Sequence, residues 1–154
     1  MIPGQIQNTG QFGSSSFYRF MTYARLITED EISTLVDQFY RKVRADPMIG
    51  PIFNARIEDW PAHLTLLKKF WSTVLLTTGT YRGDPLAAHL SMPIAQEHFD
   101  RWLALFAETA LEILPPEHSN VVVRKSERIA KNFQLAIAHQ ISSNARIDQT
   151  ITQS

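Results

Sequence analysis

Apolar side chains in this chain recur every three or four residues, and proline or glycine closes each run. Ile32, Leu35, Val36, Phe39, Tyr40 and Val43 hold the i, i+3, i+4, i+7 spacing of one helical face. Thr28 and Glu31 stand ahead of them at capping-box spacing. The helix should stop before Pro47, because a residue ahead of proline resists helical geometry. Met48 to Phe53 then reads as a tight turn between Pro47 and Pro51.

Three further runs follow the same rule. Asp59 is a good N-cap and Pro61 is tolerated in a first turn. Trp60, His63, Leu64, Leu67, Phe70, Trp71, Val74 and Leu75 form the apolar face behind them, with Gly79 as the expected C-cap. Thr80 to Pro85 is a loop, and Leu86 to Ser91 forms a short helix at most, interrupted by Pro93. From Ile94 to Leu114 the face is Phe99, Trp102, Leu103, Phe106, Ala110 and Ile113, ended by Pro115-Pro116. A last helix from about Glu117 to Ile141 turns Val122, Ile129, Phe133 and Ile137 inward. No stretch alternates with the period of a strand, so the chain is expected to be all-α, with four main helices and short connectors.

At 154 residues one domain is expected, spanning residues 26–142. Residues 1–25, rich in Gly, Gln, Ser and Asn, read as a flexible extension. Its Phe17, Tyr18, Phe20 and Tyr23 are aromatic enough to dock part of it as a short helix. Residues 143–154 read as a polar tail. Fifteen basic and fifteen acidic side chains cancel, which gives no footprint for nucleic acid or an acidic membrane surface. Near-zero charge makes self-association easier, so a monomer or weak homodimer is expected. No apolar run approaches membrane-spanning length. No secretory signal pattern is seen, which makes the cytoplasm the expected compartment.

Two histidines stand out against this helical frame. His63 lies on the long second helix, and His89 lies beyond the Gly/Pro loop, 26 positions later (89 − 63). Aromatic residues crowd both. A helical pocket with this pattern suits a flat, apolar, iron-bearing ligand held between imidazoles. His89 sits on a segment too short to exist for packing alone, and neutral imidazole is the usual axial ligand that leaves the sixth iron position free. The chain has no cysteine, so covalent haem attachment, iron–sulfur clusters and thiolate ligands are excluded.

Each candidate also has an ordinary reading. His63 is either a core-rim histidine or a group that meets a ligand or gates its access. Leu67 lies one turn further along the same face. The Tyr40 hydroxyl needs a partner if buried, either a backbone carbonyl or a bound dioxygen with partial negative charge. Trp102 carries a donor-only indole N–H with the same ambiguity. Phe53, Phe70, Trp71, Phe99, Phe106 and Phe133 are core by default, and would equally stack on a porphyrin. Other chemistries are weak. There is no H-E-x-x-H, no G-x-S-x-G, no phosphate-binding or dinucleotide glycine motif, and no marked carboxylate pair.

As a set, these residues resemble a known family. The segments FYRKVRADPMIGPIF (39–53), Trp60 with His63, Phe70-Trp71-Ser72, Tyr81-x-Gly83-x-Pro85 leading to His89, and HFDRWLALF (98–106) resemble a group III truncated haemoglobin, over roughly residues 28–140. Groups I and II carry Gly-Gly pairs at certain helix junctions, and this chain has none. The resemblance implies a shortened globin fold, a two-over-two helical sandwich around haem b (iron protoporphyrin IX). It makes His89 the proximal ligand and Phe53 the aromatic packed on the porphyrin. Tyr40, His63 and Trp102 match the distal polar positions, and Leu67 the distal apolar one. The departure is the extension ahead of Thr28.

Haem also needs cationic or hydroxyl partners for its propionates, with Arg44, Lys68, Lys69, Arg82 and Arg128 as candidates. The implied function is binding of dioxygen, NO and CO with distal hydrogen bonds. Bound oxygen would serve nitric oxide oxidation or peroxide chemistry, with iron reduced by an external reductase. Two other readings stand beside it. One is a gas sensor signalling through the N-terminal segment. The other is a cofactor-free helical interaction domain.

Overall fold

The computed structural model describes residues 26–152, with side chains to residue 148. Six helices follow in order: α1 (Glu29–Ala45), α2 (Gly50–Arg56), α3 (Trp60–Leu76), α4 (Pro85–Leu90), α5 (Gln96–Ile113) and α6 (Pro116–Thr152). No strand occurs among the described residues. The residue 1–25 extension and its aromatic cluster lie outside them.

The caps act as the local sequence dictates. Thr28 and Glu31 form the full capping box of α1. Asp59 accepts from the Ala62 N–H, and Asp84 from the Ala87 N–H. All six expected residues of the α1 face are buried. They pack against α3 on one side and α5 on the other, and α5 pairs with α6. The result is the two-over-two sandwich of a shortened globin, α1 and α3 against α5 and α6. At its centre Phe106 stacks on Trp71 at 5.0 Å and on Trp102 at 5.2 Å, with Phe39 edge-on at 5.0 Å. Offset and edge-on arrangements are the favoured geometries for such rings.

Three local expectations need correction. Phe53 lies on a helix, α2, rather than in a turn. Pro51 fits the first turn of α2 because no hydrogen bond is asked of its nitrogen there. The C-cap of α3 is Thr77, in the left-handed region at φ 55°, two residues before Gly79, which is itself left-handed. The last helix does not end near Ile141 but runs on to Thr152. No proline or glycine follows Pro116, and the Ser142 and Ser143 hydroxyls donate to carbonyls four residues back. Residues that looked like a tail are thereby accommodated inside the helix.

Candidate haem pocket

Between α1, α2, α3, α4, α5 and α6 lies a cleft of about 180 Å³, lined almost wholly by apolar side chains. Ten of the residues singled out in the sequence line it: Tyr40, Phe53, His63, Leu67 and Phe70, then Trp71, His89, Phe99, Trp102 and Phe133, whereas Phe106 is buried in the core behind them. The helical faces explain this convergence. Tyr40 and Trp102 look in from α1 and α5, His63 and Leu67 from α3, and His89 from α4.

His89 is oriented by its own helix. Its Nδ1 bonds the Pro85 carbonyl one turn back. A carbonyl only accepts, so Nδ1 carries the proton and the Nε2 lone pair is left for a metal. The Phe133 ring lies 4.8 Å away, centroid to centroid, at 40°. Proline at the first turn of α4 both starts the helix and supplies this acceptor.

Tyr40 is 4% exposed, edge-on to Phe39 at 4.8 Å and Phe53 at 6.0 Å. Burial drives its hydroxyl far above the ordinary tyrosine range, only partly offset by a hydrogen bond with Trp102. The indole N–H is donor-only, so it donates to the Tyr40 oxygen. The Tyr40 hydroxyl proton remains free to point into the cleft. His63 stands edge-on to Tyr40 at 6.3 Å and to Trp60 at 5.7 Å. Burial first, and the charge of His89 second, hold its imidazole below the ordinary histidine range. It is therefore neutral at neutral pH.

Sequence reasoning left two polar lining residues without a role, Tyr81 and His98. Tyr81 packs edge-on against Phe70 at 5.3 Å, and a Cβ on residue 83 would lie 2.5 Å from its hydroxyl, so any residue larger than Gly83 would have to displace the ring. The Tyr81-x-Gly83 spacing was the available signal. His98 Nδ1 accepts from the Ala95 N–H at 2.8 Å, capping α5 and leaving its proton on Nε2. The five basic candidates fare differently, since none lines the cleft. Arg44 lies over the Trp60 ring at 4.6 Å and Lys68 pairs with Asp37 at 2.9 Å, so both are engaged across the α1–α3 seam.

A deep apolar slot, flat-ringed on several sides, with one imidazole nitrogen directed into it and one hydroxyl opposite, fits haem. The donor set also excludes a multi-ligand metal site, since no group of three or more His, Cys, Asp or Glu side chains is gathered among the described residues. The architecture defines a small helical haem protein of the globin class.

Residues 22–119 match the bacterial-like globin family. The chain is 40% identical over 113 residues to the group 3 truncated hemoglobin ctb of Campylobacter jejuni, spanning 70% of this chain and 89% of that protein. It is 26% identical over 129 residues to the group 2 truncated hemoglobin YjbI of Bacillus subtilis, spanning 80% and 91%. The crystal structure of the group III truncated hemoglobin from Campylobacter jejuni superposes with a TM-score of 0.70 at 38% identity, covering 73% of this chain and 93% of that one. The chain belongs to the bacterial-like globins and, within them, to the group III truncated haemoglobins. Haem-based binding of diatomic gases follows from that membership as a general property. No described helix is long and apolar enough to cross a membrane.

Proposed function

We propose that the chain is a haem b protein that retains dioxygen, and binds NO and CO, through hydrogen bonds donated on the distal side. Its haem-binding unit is residues 26–142. The observation that carries this reading is the pair of oriented groups across the cleft: Nε2 of His89, freed by the Pro85 carbonyl, and the hydroxyl proton of Tyr40, freed by Trp102. Haem, when bound, would supply a ferrous iron able to take up a diatomic gas.

The protein's own residues do the rest. His89 is the metal ligand. Phe53, Leu67, Phe70, Trp71, Phe99 and Phe133 exclude water and sandwich the macrocycle. Tyr81 and His98, rather than the five basic residues, serve the propionates. Tyr40 would donate to a bound gas, Trp102 would sharpen that donor, and His63 would contribute from the mouth or swing to admit ligand. A hydrogen bond to a charged or strongly polarised acceptor contributes about 1–3 kcal/mol. Each 1.4 kcal/mol is about tenfold, and most of it appears as slow release.

Slow release suits a protein that reacts with the gas it holds. Nitric oxide dioxygenation is the leading use, with peroxide chemistry as the other, each requiring an external reductase because no flavin or nicotinamide motif is present. Absorption spectra of the purified protein, oxidised, reduced and with CO, test the cofactor. Stopped-flow oxygen release from wild type and Tyr40→Phe tests the mechanism. Release on the microsecond-to-millisecond scale, unchanged in Tyr40→Phe, would refute it. Loss of NO with stoichiometric nitrate formation by the oxygenated protein tests the activity.

A further inference from the structure

Asp46 terminates α1 and its carboxylate is fully committed. Oδ1 accepts the Met48 and Ile49 N–H groups at 3.0 and 3.1 Å, which folds the corner into α2. Oδ2 accepts Nε and Nη2 of Arg101, both at 2.7 Å. The Asp46 side chain is 3% exposed. Buried carboxylates with four donors are strongly held, because breaking one partner leaves a charge without solvent.

The position of this pair matters more than its strength. Arg101 immediately precedes Trp102 on α5, and Asp46 lies six residues after Tyr40 on α1. The two helices thus meet twice over a short span, at Asp46–Arg101 and where Trp102 packs edge-on against Phe39 at 5.2 Å, with helix closing the ring on each side. With Arg101 anchored at the α1–α2 corner, the register of α5 presents the next residue, Trp102, to the cleft. A second α1–α5 bridge, Lys42 to Glu108 and Glu112 at 2.7 and 2.8 Å, lies further along α5 and away from Trp102. Its carboxylates are more than half exposed, so it holds the helices without fixing their register.

We propose that Asp46 and Arg101 are positioning residues that hold the Trp102 indole at the cleft beside Tyr40, and through it set how strongly the distal side donates to a bound gas. This rests on the haem reading for its functional consequence, though the placement of Trp102 against Phe39 and Phe106 itself does not need a cofactor.

The test uses two readouts on the full chain. The first is the Trp102 indole N–H resonance, in protein with and without haem. The second is the C–O stretching band and the oxygen release rate of the ferrous protein. The variants are Asp46→Asn and Arg101→Lys, the latter keeping a cation beside the buried carboxylate while losing the two-pronged contact, so that a folded protein is available if the former unfolds. Lys42→Ala is the control, and Tyr40→Phe supplies the endpoint for an indole without its acceptor. Both pair variants should move the Trp102 resonance toward its Tyr40→Phe position and shift or split the C–O band. They should also speed oxygen release roughly three- to tenfold, the effect of weakening one hydrogen bond. Lys42→Ala should leave all three at wild type.

The proposal is overturned if Asp46→Asn and Arg101→Lys lower the melting temperature while the indole resonance and C–O band stay at wild type. It is equally overturned if Lys42→Ala moves them as far. A wild-type protein that takes up no haem would sink the haem reading, and the indole resonance would still decide this one.

Discussion

Tyr40 and His89 face the same cleft from walls that differ in how much protein stands behind them. Tyr40 sits on a 17-residue helix whose six inward residues are buried, and which packs on α2, α3 and α5. Its ring neighbours come from three elements, Phe39 from α1, Phe53 from α2 and Trp60 from α3. His89 sits on the six-residue α4, which buries no residue and has α6 as its principal helical neighbour. Its orientation comes from one carbonyl of its own turn and one ring from α6. On the proposed function, the wall that would select the ligand is thus preorganised by the core, and the wall that would hold the metal is thin. Local stability follows contact density, so the two should open at different free energies.

The largest expected effect comes from attacking the thin wall. If His89 is the protein's bond to iron, as proposed, His89→Ala should lower haem retention by several orders of magnitude. The check is the Soret absorbance that survives gel filtration against excess apomyoglobin. Haem retained at wild-type stoichiometry with an unchanged ferrous spectrum would break the comparison at its root. Because the mutation removes a side chain from a helix without buried residues, the secondary structure of the rest should persist in far-ultraviolet circular dichroism.

On the preorganised wall the effect should be smaller and purely kinetic. Tyr40→Phe keeps the ring packed and deletes one donor, so haem should stay and oxygen should leave roughly ten- to a hundredfold faster. Trp102→Phe should do the same to a lesser degree, since the indole acts on the Tyr40 oxygen. An equal effect of the two would mean that both donate directly to the gas. Haem loss in either would mean that the distal wall shares the metal-holding task.

Both walls were legible in the sequence to different depths. The α1 face and its Thr28/Glu31 cap could be read because their determinants are local: apolar spacing of three and four, and a polar pair three apart. The helices then carried Tyr40, His63, Trp102 and the aromatic residues to one cleft, since each lies on the apolar face of its own helix. What could not be read depends on partners far along the chain. Asp46 and Arg101 are 55 positions apart, and nothing local marks them as a pair. Arg44 and Lys68 looked free for propionates until packing placed Trp60 and Asp37 against them. The end of α6 was hidden for another reason. Ser142, Ser143 and Asn144 are poor helix formers, but their run lacks the proline or glycine that would force a stop.

Packing density behind Tyr40 gives a third, intermediate effect. A Cβ at Gly50 would lie 2.9 Å from the carbonyl oxygens of both Val43 and Arg44. These are backbone atoms at the end of α1 and cannot rotate away. Gly50→Ala should therefore cost about 1–3 kcal/mol, as other overpacked sites do. The readout is the denaturant midpoint at constant m-value. An unchanged midpoint would show that the α1–α2 corner yields, and that the distal wall is less rigid than its burial implies.

The smallest effect concerns His63, which stands between the two walls and belongs fully to neither. Its folded-state pKa is depressed, mainly by burial. Below the ordinary histidine value of about 6.5 the unfolded chain takes up a proton that the folded chain refuses. Stability from this residue is therefore intact above that value and falls as pH drops through it toward the lower native value. Its half-exposed ring keeps the effect modest. Unfolding midpoints of wild type and His63→Gln, taken in the CO form at pH 7.5 and pH 5.5, isolate the contribution. The wild type should lose more on acidification than the variant. The opposite order would mean that the imidazolium is stabilised inside the cleft, and the mouth would then belong to the charged, solvent-facing side rather than to the apolar pocket.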